Sequence, residues 1–192
     1  MAMANTTLRS QEHMAPSCWR RISSVELKLH HILKDVSRAK YCEMIRRLLE
    51  MSSSFSLVLR VDMGFKPDTN RIVQALAGNE LRRERVDRWP GTVTFARKKP
   101  LVVHFRSSLD ALEPLCLPGR LFSWLTPAYP EDPAFYDRAG AALFATTAHE
   151  SEAWALRPKV VRALADLVRF EIEDVSDDAV SIIRGAARPN SR

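Results

Sequence analysis

Glycine and cysteine are scarce in this chain, and each scarcity removes a class of function. Its six glycines form no G-x-x-x-x-G-K and no G-x-G-x-x-G arrangement, so the backbone loops that cradle nucleotide phosphates are excluded. Three cysteines, Cys18, Cys42 and Cys116, are odd in number and make no C-x-x-C pair. That excludes a disulfide framework or a zinc knuckle and fits a reducing, cytoplasmic compartment. Long apolar runs are missing as well: the longest reach only about five residues, far below the roughly 20 a membrane helix needs. The opening segment MAMANTTLRSQEHMAPSCWRR lacks the apolar stretch of an export signal, so neither membrane insertion nor cleaved export is expected. No G-x-S-x-G elbow presents a serine, and Cys116 sits between two leucines, the setting of an inert buried thiol.

What is present belongs to a globular protein. With 46% hydrophobic and 27% charged residues over 192 positions, the chain can bury a core of its own as one domain. Residues 1–22 and 186–192 are polar and aperiodic and are expected to be disordered or flexible tails around a domain at 23–185. Val25, Leu29, Ile32, Leu33, Val36, Tyr41, Met44, Ile45, Leu48 and Leu49 recur at three- and four-residue steps, which predicts a long amphipathic helix over 24–51. FSLVLRVDM alternates as a strand with one buried face. A second helix is expected after an Asp68 or Thr69 cap, with Gly78-Asn79 as its stop. TVTFA and LVVHF read as a hairpin joined by RKKP, and FYDRAGAALFATTA as another that turns at Asp137 to Gly140. A short helical turn is expected before Pro114, a helix over 158–170, and a short capped one in SDDAVSIIRG. The whole predicts an α+β fold: an antiparallel or mixed sheet built from hairpins, packed against a long N-terminal and a C-terminal helix.

Charge is distributed unevenly. Residues 82–106 hold eight bases and two acids, a balance of +6 that equals the net charge of the whole chain, whereas residues 107–156 hold seven acids and two bases, a balance of −5. Arg82, Arg83, Arg85 and Arg88 are expected along a helix end, and Arg97, Lys98 and Lys99 at a hairpin tip. Such a patch suits an acidic protein partner. With Trp89 and Phe95 nearby it also suits a phosphate backbone, although no helix-turn-helix, RNP, KH or finger signature accompanies it. Trp124 and Trp154 flank the acidic Pro-rich stretch as candidate interface anchors, or as core residues.

His149-Glu150 is the best constellation for chemistry, since a neighbouring carboxylate orients an imidazole and raises its basicity. The spacing for a helical zinc site fails, because Ala153 stands where the second histidine belongs. No metal and no cofactor is therefore expected. His104 is either a distant partner of His149 or, as alternation explains fully, the polar face of its strand. The segment DPAFYDRAGAALFATTAHESEAW, residues 132–154, resembles a late hairpin of small bacterial α+β proteins, including immunity proteins of polymorphic toxin systems. That resemblance implies a non-enzymatic protein that blocks a toxin by binding it. The leading expectation is a protein-binding module. A nucleic-acid-binding accessory protein acting through 82–106 and a hydrolase centred on His149 and Glu150 are the alternatives.

Overall fold

The computed structural model describes residues 28–174 and 181–183. The elements run β1 (Lys28–Ile32), α1 (Arg38–Met51), β2 (Ser54–Leu59), α2 (Arg71–Ala75), β3 (Glu80–Arg85), β4 (Arg88–Trp89), β5 (Thr92–Val93) and β6 (Leu101–Arg106). They continue with α3 (Leu112–Cys116), β7 (Glu131–Tyr136), β8 (Ala142–Thr147), β9 (Glu152–Ala155), α4 (Pro158–Leu164) and β10 (Glu171–Asp174). Among the described residues eight strands make one sheet in the order β10-β1-β9-β8-β7-β2-β6-β3, antiparallel throughout, while β4 and β5 form a separate small hairpin. The α+β class and an antiparallel sheet are thus as expected. No described helix is long and apolar enough to cross a membrane.

Strand alternation sorts the sheet's side chains into two layers. Phe55, Leu57, Val103, Phe105, Phe135, Phe144, Ala153 and Ile32 lie on one face, in a single cluster with Tyr41, Met44, Ile45 and Leu48 of α1, Ile72 of α2, Leu115 of α3 and Val160 and Leu164 of α4. Each fully buried side chain of this size contributes about 1.5–3 kcal/mol relative to exposure, which is why the four helices share that face. The opposite face is covered in patches. Leu29, Ala134, Ala145, Trp154 and Leu156 meet Ile183 there, and Val58 and Val102 meet Trp89 of the small hairpin. Gly91 turns that hairpin with φ +85°, and a Cβ at this position would overlap the Thr147 hydroxyl.

Several expectations are corrected. The predicted 24–51 helix is a strand followed by a helix that starts only at Arg38. Leu29 and His31 alternate onto one face, and the Asp35 carboxylate accepts from the Val36 and Leu121 N–H groups at 2.9 Å, holding the connection between the two elements open. Residues 80–85 are a strand, not a helix end, and TVTFA does not pair with LVVHF. Instead β6 lies between β2 and β3, and Thr92–Val93 pairs with Arg88–Trp89. The cap of α2 is Asn70, whose side chain accepts from Ile72 and Val73. The helix expected over 158–170 ends at Leu164 and is followed by β10. The hairpin turning at Asp137 to Gly140 is present as β7–β8, with Asp137 accepting from Ala139 and Ala141. The tail expected at 1–22 and that at 186–192 lie outside the described residues, as does most of SDDAVSIIRG, of which 181–183 are helical.

Candidate functional site

His149 and Glu150 lie in the turn between β8 and β9, both exposed, with their charged atoms 3.6 Å apart. The fold brings two carboxylates beside them that the linear sequence does not reveal. Glu131, Asp132 and His149 offer ligand atoms within 4.8 Å of one another. Both acids, however, are engaged in holding the scaffold. Asp132 takes a left-handed φ of 50°, accepting from the Trp89 indole at 2.7 Å and from the Ala148 N–H at 2.8 Å. Glu131 accepts from Arg60 at 3.2 Å and from the Thr126 N–H at 3.2 Å. Burial pushes the Asp132 carboxyl up to about 6, against the two hydrogen bonds that favour its charge. These contacts tie the small hairpin to β7 and β8, and His149 stands at the rim of that junction.

His104 does not reach this group. It projects from β6, which β2 and β7 separate from β8, a span of about 14 Å at the usual strand spacing. Its surroundings form a second constellation, on a part of the sheet that no helix covers among the described residues. His104 Nε2 lies 3.1 Å from the Glu84 carboxylate and 3.4 Å from the Arg82 guanidinium, both on β3. Its ring centre is 5.6 Å from that of Tyr136 on β7, and the Tyr136 hydroxyl is 3.0 Å from Ser56 Oγ on β2. Polar side chains from four adjacent strands therefore converge where an antiparallel sheet normally presents isolated polar positions.

His104 and Tyr136 floor a cleft of about 170 Å³ between the small hairpin and the β7–β8 turn, with Arg88 and Trp89 on one wall. A neighbouring hollow of about 390 Å³ shares Arg82, His104 and Tyr136 and adds Arg138. Burial, and next the Arg82 charge, hold the His104 pKa below its ordinary value, and burial pushes the Tyr136 phenol up to about 12. At neutral pH the floor is an uncharged donor–acceptor surface, and among the described residues the rim carries three guanidinium groups against the carboxylate of Glu84.

The seven basic candidates are split by the fold. Arg83 pairs with Glu80 at 2.5 Å, Arg82 with Glu84 at 3.3 Å, and Asp87 draws Lys99 to 3.1 Å and Arg88 to 4.0 Å. Arg85 donates to the Lys99 carbonyl at 2.9 Å, which ties the edge strand to the loop over 94–100. Arg97 and Lys98 make no ion pair among the described residues, and Phe95 beside them is 96% exposed. Arg82, Arg83 and Arg85 are thus strand residues at the sheet edge, and the local field is weaker than a count of arginines suggests. Trp124 and Trp154 are not surface anchors. Trp124 is fully buried and donates to the Tyr41 hydroxyl at 2.8 Å, while Trp154 stacks on His31 at 3.9 Å, with the planes 3° apart.

Glu84, His104, Tyr136 and Ser56 were not candidates from the sequence as a group, because strand pairing alone unites them; the alternation that put His104 on a polar face was the one available signal. Compared with known protein families, with characterised proteins and with solved structures, the chain matches none.

Proposed function

We propose that the protein is a binding module that captures an acidic partner protein at the arginine-rimmed end of its sheet. The observation that carries this reading is the cleft over His104 and Tyr136. It is a concave, uncharged floor with convergent polar groups, rimmed by Arg82, Arg88 and Arg138, the form in which a carboxylate-bearing group is oriented and held. Arg85, Arg97 and Lys98 extend the positive field along the neighbouring edge, where it steers encounter more than it adds affinity. An inhibitor of the immunity type, which blocks a toxin by covering its surface, is one such module.

The favoured partner is a protein and not a nucleic acid, for a reason of charge and spacing. Phosphate tracking needs an unbroken row of cations, and here Glu80, Glu84 and Asp87 interrupt the row, whereas a cleft that holds one carboxylate needs only its few rim cations, of which Arg138 makes no ion pair among the described residues. The test is capture from a cell extract on immobilised protein, comparing the native chain with Arg97→Ser/Lys98→Ser/Lys99→Ser and with Arg82→Ser/Arg138→Ser. A protein that survives nuclease treatment should be retained at low salt by the native chain, released by Arg82→Ser/Arg138→Ser, and taken up more slowly by Arg97→Ser/Lys98→Ser/Lys99→Ser. Retention unaffected by both variants would overturn the reading.

A further inference from the structure

The two edges of the sheet carry opposite charge, and this points to an assembly. Among the described residues β3 and β10 each have a neighbour on one side only. The β3 edge and the loop that bonds to it, residues 80–99, hold seven bases against three acids, a balance of +4, while β10 reads Glu-Ile-Glu-Asp with no base. Each edge also exposes a large aliphatic side chain, Leu81 at 50% and Ile172 at 62%. Unpaired strand edges are templates for pairing, which charge normally discourages. With opposite signs on the two edges, charge discourages β3 from pairing with β3 and β10 from pairing with β10, and favours only the mixed pair.

We propose that copies of this chain join head to tail, β10 of one copy adding to β3 of the next, so that one sheet runs through successive molecules. The strand count fits this geometry. Eight strands that alternate in direction end with β10 and β3 pointing oppositely, so a copy continued along the sheet meets its neighbour antiparallel and the alternation is unbroken. Side chains match as well. Glu171 pairs across β1 with His31, and Arg82 pairs with His104, positions on the same face of the sheet, so Glu171 and Glu173 of one copy come beside Arg82 of the other. Ile172 falls on the opposite face, with Arg83, Arg85 and their aliphatic stems. A junction of this kind is heterologous and does not close on itself at two copies. Strand twist of about 20–25° per strand turns each copy by roughly half a turn relative to the last, which gives a winding file of molecules and not a flat ribbon. This goes beyond capture of a foreign partner and stands or falls separately, since its test contains no other protein.

Sedimentation velocity decides it, from micromolar to near-millimolar protein, at low salt and at about 1 M salt, where the Debye length has shrunk to about 3 Å. The native chain should grow past the dimer as concentration rises at low salt, and revert to monomer at high salt. Arg83→Glu/Arg85→Glu and Glu171→Lys/Glu173→Lys should each remain monomeric, and an equimolar mixture of the two should associate again, because the first keeps the acidic β10 and the second keeps the basic β3 edge. Circular dichroism checks that each is folded. Ile172→Lys, which alters one exposed side chain, gives the same loss of association if the paired variants do not fold. A native chain that is monomeric throughout, or stops at a dimer, or a mixture that does not re-associate, overturns the proposal.

Discussion

Asp132 ties the stability of the domain to pH in a direction opposite to that of most carboxylates. The residue is 1% exposed, and burial pushes its carboxyl pKa from 3.8 up to about 6 in the folded chain. Between those values the folded protein holds a proton that the unfolded chain has released. The stabilisation is therefore complete below about pH 4 and is lost as pH rises through 6. A shift of about two units corresponds to about 3 kcal/mol at 1.36 kcal/mol per unit. The perturbation is Asp132→Asn, which keeps the shape, does not titrate and tolerates the left-handed φ that a larger residue would not. Urea unfolding of both proteins across pH 4 to 7.5 gives the difference in stability, native minus variant. That difference should fall by about 2 kcal/mol between about pH 4 and pH 7, most of the full amount of about 3 kcal/mol. Glu43, Glu80, Asp87 and Asp166, whose pKa values arginine or lysine partners lower, act in the opposite sense below pH 4 and cancel in the subtraction. A flat difference, or one that rises with pH, would refute the argument.

Tyr41→Phe removes the hydroxyl that donates to the Leu115 carbonyl at 2.7 Å and accepts from the Trp124 indole. Leaving two buried groups unpaired should cost about 2–4 kcal/mol in a denaturant titration, and a cost below about 0.5 kcal/mol would show that neither group depends on the phenol. Gly91→Ala should cost about 2 kcal/mol or more, from its positive φ and the overlap with Thr147; an unchanged melting temperature would mean the hairpin is not pressed on β8. His149→Ala should change stability by no more than about 0.5 kcal/mol, as expected of an exposed side chain outside the core, and a large loss would mean that its proximity to Glu150, Glu131 and Asp132 holds the turn together.

How much of this was legible in the sequence depended on whether an element's signal was local. The β7–β8 hairpin could be read because Asp137 and Gly140 set the turn and a small apolar strand follows it. β3 could not, because Leu81 to Arg85 are all exposed and the segment is a strand only through its pairing with β6. Over residues 29–36, Leu29, Ile32, Leu33 and Val36 fit a helical period, yet Lys28–Ile32 is a strand; antiparallel pairing to β9 and β10 decides it. The same division holds for the site. The arginines were visible as a charge run, and their acids in space partly were not. Glu84, His104, Tyr136 and Ser56 meet across 80 positions of sequence, a separation that no motif spans.

The central claim, that the cleft and its basic rim bind an acidic protein surface, is tested most directly by fluorescence anisotropy with two labelled probes of equal net charge, an extended glutamate-rich peptide and a single-stranded DNA. The account predicts that the peptide binds more tightly than the DNA at the same salt. Arg82→Ser/Arg138→Ser should weaken the peptide at least tenfold, about 1.4 kcal/mol, while Arg97→Ser/Lys98→Ser/Lys99→Ser chiefly slows its association. DNA bound more tightly than the peptide, with a log-log salt slope near the number of cations in residues 82–106, or peptide binding indifferent to Arg82 and Arg138, would contradict it.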